Sequence, residues 1–262
     1  VHPSPEARAE VLLSARDLNV QYGALRALDG ATFEVRAGEV LGVIGPNGAG
    51  KSTCFAALTN CVARAGSVTL RGASIDKVPT QRLAALGLKR TFQQNSFFGE
   101  ISVLENAVCA LFRSSSTAMA ASFCMPWVER RQRHDAEDKA RALLRSFHVG
   151  DEFHQRLPTE IPYGVQRLLS IAMAYGDGAQ VLLLDEPAAG IGGEDMRELM
   201  AIIAKLRRDG VGVVVIEHHM DLIMELADNI VVLDRGKQIA IGLPAQIRAN
   251  EQVREAYLGK EA

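Results

Sequence analysis

The sequence predicts an α/β fold: a mostly parallel sheet covered by helices on both faces. Three observations predict it. Gly45-Pro46-Asn47-Gly48-Ala49-Gly50-Lys51-Ser52-Thr53 fits the phosphate-loop pattern G-x-x-x-x-G-K-[ST]. Residues 181–184 and 211–216 are continuous apolar runs, as in strands buried on both faces, rather than alternating ones. Helical stretches separate such runs, and strand–helix alternation implies parallel order. With 262 residues, 48% of them hydrophobic, the chain can build a sizeable core.

The elements follow in order. Residues 1–10 carry Pro3 and Pro5 and read as a mobile tail. A strand is expected over 12–20, a turn at Gln21-Tyr22-Gly23, and a second strand over 31–35. Residues 39–44 form a short apolar run between Gly38 and Gly45, the strand that a phosphate loop requires before it. A helix then runs from the loop to about residue 61. Residues 67–70 are a further strand, and 88–92 are extended. From 94 to 160 the character changes to a helical insertion. Residues 103–112 suggest a helix, 114–125 a loop, and 129–148 a helix with one apolar face at Ala136, Ala140, Leu143, Leu144 and Phe147. The core resumes with a helix over 165–175, the strand at 181–184, a helix over 194–208, the strand at 211–216, and strands at 230–233 and 238–241.

The phosphate loop, Asp185-Glu186 and Glu217-His218 all fall at strand carboxyl ends, where open α/β sheets bind ligands. Glycines let backbone N–H groups wrap a polyphosphate, and the helix N-terminus adds partial positive charge. Lys51 is placed to reach the β- and γ-phosphates, and Ser52 to hold Mg²⁺. Asp185 follows four apolar residues, the Walker-B arrangement, and can hold Mg²⁺. Glu186 is placed to polarise a water for attack on the γ-phosphate.

The net charge of −2 argues against a nucleic-acid footprint. The four cysteines form no C-x-x-C pair, which argues against zinc or redox cysteine chemistry. Cys54 and Cys61, seven apart on one expected helix, are assigned to the core. No apolar run approaches the ~18 residues of a membrane span. The chain opens on Val1 with no signal-peptide pattern before the first expected strand, as in a trimmed or excised polypeptide.

Across nearly its whole length the chain resembles the ATP-binding subunits of ABC transporters. The ordered set is Tyr22, the phosphate loop, Arg90-Thr91-Phe92-Gln93, Ile161-Pro162-Tyr163-Gly164-Val165-Gln166, residues 181–187 and Ile216-Glu217-His218. Thr91-Phe92-Gln93, Tyr163-Gly164, Asp185-Glu186-Pro187-Ala188-Ala189-Gly190, Glu217-His218-His219-Met220 and the tail at 247–259 resemble the branched-chain amino-acid importers among them. The resemblance implies a P-loop ABC ATPase fold, one cassette over 1–262, with an antiparallel β subdomain and a helical subdomain inserted at 94–160. It implies that Tyr22 stacks on adenine and that Gln93 touches Mg²⁺ or the attacking water and senses the permease. It implies that Tyr163, Gly164, Val165 and Gln166 meet the ATP held by a partner cassette, that Glu186 is the general base, and that His218 is the γ-phosphate switch.

The implied cofactors are ATP and Mg²⁺. The implied partners are a second cassette, membrane permease subunits and, indirectly, a solute-binding protein, with no nucleic acid. The implied place is the cytoplasmic face of the membrane, as a peripheral subunit. Alternatives are a nucleic-acid-linked ABC ATPase and a catalytically weak partner subunit. Pro162 stands where the signature usually has serine, Val165 where it has glutamine or glutamate, Gly192 where asparagine or aspartate is usual, and His219 where aspartate is usual. Strand alternation predicts that His218 and His219 point in opposite directions, with His219 opening the next helix. Phe97, Phe98 and Ile101 are candidates for a permease-facing patch.

Overall fold

The computed structural model describes residues 9–91, 97–112 and 126–258. Gln93 and Phe92, the 114–125 stretch and the first eight residues lie outside the described residues. The strands are β1 (Val11–Tyr22), β2 (Leu25–Arg36), β3 (Val40–Ile44), β4 (Ala65–Leu70), β5 (Ala73–Ser74), β6 (Leu88–Arg90), β7 (Val181–Asp185), β8 (Gly212–Ile216), β9 (Asn229–Asp234) and β10 (Lys237–Gly242). The α-helices are α1 (Lys51–Leu58), α2 (Thr80–Leu83), α3 (Val103–Phe112), α4 (Pro126–Ser146), α5 (Tyr163–Tyr175), α6 (Gly193–Arg208), α7 (Met220–Leu226), α8 (Pro244–Ala249) and α9 (Glu251–Leu258).

The sheet order is β5-β4-β1-β2-β10-β9-β3-β8-β7-β6. From β9 to β6 every neighbouring pair is parallel. β1, β2, β4 and β5 pair antiparallel, and this unit joins the core through one β2–β10 pairing, Asp29 with Lys237. The expected mostly parallel core and antiparallel β unit are both present.

All residues of β3, β7 and β8 are buried, because each strand is covered on both faces. Leu182, Leu184, Val213 and Val215 face a cluster that includes Leu168 and Leu169 of α5 and Leu199, Ile202, Ile203 and Leu206 of α6. Val181, Leu183, Val214 and Ile216 face the other way, onto Phe55 and Leu58 of α1 and onto Leu13, Leu18 and Leu28 of the antiparallel unit. The four buried positions of α6 recur at helical spacing. Glu194 and Asp195 lie in its first turn and Lys205, Arg207 and Arg208 in its last, matching the helix dipole. On α4 and just past its end, Ala140, Leu143, Leu144 and Phe147 are buried as the periodicity predicts, in one cluster with Val103, Leu104 and Ala107 of α3. No helix among the described residues is long and apolar enough to cross a membrane.

Two local expectations are corrected. α1 stops at Leu58, so Cys61 is not on the helix and is exposed. Thr59 donates its hydroxyl back to the Phe55 carbonyl at 2.8 Å, and Asn60 takes a left-handed conformation at φ 53°, which turns the chain away from the core. Cys54 is buried as expected, and burial pushes its thiol up to about 12. α5 begins at Tyr163, two residues early, because Pro162 takes the N-cap position, where its ring suits helix entry and its carbonyl accepts the Gln166 N–H at 3.0 Å.

Candidate functional site

The sheet order sets three chain segments side by side. β3, β8 and β7 are adjacent, and their carboxyl ends carry the phosphate loop, His218 and Asp185-Glu186 respectively. The loop can turn as it does only with glycine at two positions. Gly45 has φ 153°, and a side chain there would meet the Leu233 carbonyl oxygen at 2.1 Å. Gly50, the N-cap of α1, has φ 102°, and its Cβ would lie 2.5 Å from the Ala27 carbonyl oxygen. That second approach also places the β1–β2 hairpin against the loop. Tyr22 ends β1 on this hairpin, paired with Leu25, and is half exposed.

Lys51 is buried at the start of α1, its Nζ donating to the Gly45 and Pro46 carbonyls at 2.7 and 3.2 Å. Asn47, Gly48 and Ser52 are exposed. Tyr257 of α9 brings its phenol to the Gly45 backbone, and burial pushes that phenol up to about 12.

Asp185 is nearly fully buried at the end of β7, and Arg90 on neighbouring β6 holds its Oδ2 at 2.7 Å. The Arg90 guanidinium also lies over the Phe55 ring, 5.3 Å from its centre. From the sequence Arg90 has no assigned role. Its partnership with Asp185 depends on strand pairing and leaves no local signal. Glu186 sits at φ 46°, a left-handed conformation that costs a non-glycine residue of the order of 1–3 kcal/mol. Its N–H is fixed to the Ile216 carbonyl at 2.9 Å.

Glu217, placed at a strand end by the sequence but given no role of its own there, joins two loops of the site. Its side chain is fully buried. Oε1 accepts the Ala188 N–H at 2.7 Å, and Oε2 faces the His218 N–H at 3.2 Å and the His219 Nδ1 at 3.3 Å. One carboxylate thus ties the loop after β7 to the segment after β8. The available signal was an acid ending a five-residue buried run, since a buried charge needs partners.

The expectation that the two histidines diverge is corrected. β8 ends at Ile216, so pleated alternation no longer applies to residues 217–219. The His218 and His219 rings lie together, centres 4.1 Å apart at 37°. His219 does cap α7, as expected. His218 Nδ1 is 3.9 Å from Glu186 Oε1.

The signature residues open α5. Tyr163 is exposed, with Arg167 5.2 Å over its ring and Gly190 against its edge. Gly164 is buried under the Asp195 carboxylate of α6, which would lie about 2.1 Å from any Cβ there. Val165 is half buried against the core, and Gln166 donates Nε2 to the Ile161 carbonyl at 3.1 Å. The candidates at 97–101 divide. Phe97 packs against the core, Ile101 is half buried, and Phe98 is exposed on a turn held by buried Asn106, which bonds both the N–H and the carbonyl of Phe98.

A phosphate loop beside an acidic strand end, on an open parallel sheet, defines a P-loop nucleotide-binding protein. The chain belongs to the ABC transporter family, whose sequence model matches residues 28–189. A second model, described as branched-chain amino acid ATP-binding cassette transporter, matches residues 237–262. The high-affinity branched-chain amino acid transport ATP-binding protein BraF of Pseudomonas aeruginosa is 38% identical over 251 residues, 95% of this chain and 98% of BraF. The corresponding LivG of Escherichia coli is 35% identical over 96% of this chain and 99% of LivG. Among solved structures, the ADP conformation of the ATP-binding cassette MJ1267 superposes with a TM-score of 0.81 at 26% identity, covering 95% of this chain and 99% of that one. The chain is thus an ATPase of the ABC class.

Proposed function

We propose that this chain is the ATP-binding and ATP-hydrolysing motor subunit of an importer for branched-chain amino acids or similar small polar solutes. The observation that carries the catalytic part is the side-by-side placement of the phosphate loop, His218 and Asp185-Glu186 on β3, β8 and β7. The cargo class follows from the similarity to BraF and LivG and from the match over 237–262.

In this reading Tyr22 stacks on adenine and the 45–53 backbone wraps the phosphates. Lys51 exchanges the Gly45 and Pro46 carbonyls for the β- and γ-phosphates. The residues present fit Mg²⁺, because Ser52 and Asp185 offer hard oxygen donors. Ser52 and Asp185, together with Gln93, would hold the ion, which supplies charge neutralisation at the phosphates when bound. Glu186 takes the proton of the attacking water, held at the strand end by its N–H bond to Ile216. His218 donates to the γ-phosphate oxygen that gains charge. Tyr163, Gly164, Val165 and Gln166 close the ATP site of a second cassette. The 94–160 helical subdomain, with Phe98 exposed at its entry, docks on permease subunits at the cytoplasmic face. A solute-binding protein acts indirectly.

Two observations favour a second reading, a catalytically weak partner subunit: the signature has Pro162 at its entry and the Asp195 carboxylate over Gly164. Steady-state ATPase and solute uptake of the reconstituted transporter test both. Glu186→Gln should retain nucleotide binding and lose about 10²-fold or more in hydrolysis. Equal hydrolysis by Glu186→Gln and the parent chain would refute the base assignment. ATP turnover without uptake of any branched-chain amino acid would refute that cargo and leave the other small polar solutes to be assayed in the same way.

A further inference from the structure

The segment after β8 places three donor atoms of metal-ligating type together. One ligating atom from each of Glu217, His218 and His219 lies within 4.8 Å of the other two. His219 Nδ1 is 3.3 Å and His218 Nδ1 is 3.8 Å from Glu217 Oε2. Two ligands at the usual zinc bond lengths in tetrahedral arrangement lie about 3.4 Å apart. Of the two pairs that Glu217 makes, the one with His219 is therefore already at ligating separation, and the one with His218 is slightly longer.

The cluster also has a built frame. The Glu217 carboxylate is fully buried and fixed by the backbone N–H groups of Ala188 and His218, which orient it as an outer shell orients a metal ligand. The two rings, by contrast, are about half exposed, at 48% and 49%, so an ion has a way in. Two imidazoles and one carboxylate suit Zn²⁺ and its borderline neighbours, whereas Mg²⁺ prefers oxygen donors throughout. The set is that of an open three-ligand site with room for water at the fourth position.

We propose that Glu217, His218 and His219 form a binding site for a divalent cation of the Zn²⁺ class, distinct from the nucleotide's Mg²⁺. An ion there fixes the His218 ring to Glu217 and so slows turnover. The inhibitory half rests on the switch role given to His218 above; the binding half does not.

Calorimetric titration of the tag-free, nucleotide-free full chain with Zn²⁺ tests the binding half. One equivalent should bind, and His219→Ala should weaken it by at least about tenfold, as loss of a metal-site partner does. His148→Ala and His134→Ala remove exposed histidine–carboxylate pairs, with Glu198 and Asp138, and each should leave that equivalent unchanged. Loss in either of these variants but not in His219→Ala overturns the proposal. So does a thiolate-to-metal absorption band when Co²⁺ replaces Zn²⁺, since Cys61 is exposed. ATPase rates at buffered free Zn²⁺ then read the second half. Inhibition should be present in the parent chain and reduced in His219→Ala. Zn²⁺ that binds at one equivalent and leaves turnover unchanged overturns the inhibitory half alone.

Discussion

Glu217→Gln isolates the carboxylate that ties two loops of the site together. The variant keeps the size of the side chain. One amide oxygen can still accept the Ala188 N–H, now without charge assistance, a loss of about 1 kcal/mol. The amide NH₂ then faces the His218 N–H, so a donor meets a donor, and a buried unpaired N–H costs about 1–3 kcal/mol. Relief from burying a charge offsets part of this sum, leaving a net destabilisation of about 2 kcal/mol. For a domain of this size that lowers Tm by roughly 4–8 °C. Thermal unfolding by circular dichroism measures it. The same substitution frees the backbone that positions His218, so kcat should fall about tenfold or more with KM little changed, because a small misplacement of a catalytic group is costly. An unaltered Tm together with an unaltered kcat would refute the view that Glu217 holds these loops. A lowered Tm with kcat intact would reduce it to a structural acid.

Lys51→Ala should lose most nucleotide affinity, read by fluorescent-nucleotide titration, since its Nζ is already held at the loop by the carbonyls of Gly45 and Pro46. His218→Ala should cost roughly 10²–10³ in steady-state ATPase, the effect of removing one preorganised donor to developing charge. His219→Ala should cost less than about tenfold on the same scale, and a larger loss there would exchange the two assignments. Asp195→Asn should lose about 0.3–1 kcal/mol of stability, its contribution at the α6 N-terminus, while raising turnover in the assembled transporter by removing negative charge from Gly164. Pro162→Ser should raise turnover in the same assay by restoring a hydroxyl donor at the signature. No gain in either variant would mean that Tyr163 and the Gly164 backbone already suffice.

The chain's own letters determined what local chemistry determines. The phosphate loop is legible because only glycine tolerates the backbone of Gly45 and Gly50, so the requirement is written into the residue type. The runs ending at Asp185 and Ile216 are legible because a strand covered on both faces excludes polar residues along its whole length. The α4 apolar face is legible from helical spacing alone. Tertiary structure alone decided three contacts whose partners lie far apart in the chain. Arg90 meets Asp185 only because β6 and β7 pair, and Asp195 covers Gly164 only because α6 crosses the start of α5. Glu217 reaches Ala188 only because β8 lies beside β7. His218 and His219 lie together because the strand ends before them, a boundary that periodicity places no better than a residue or two. Cys61 left the core for a similar reason, a helix ended by the Thr59 hydroxyl rather than by any apolar pattern.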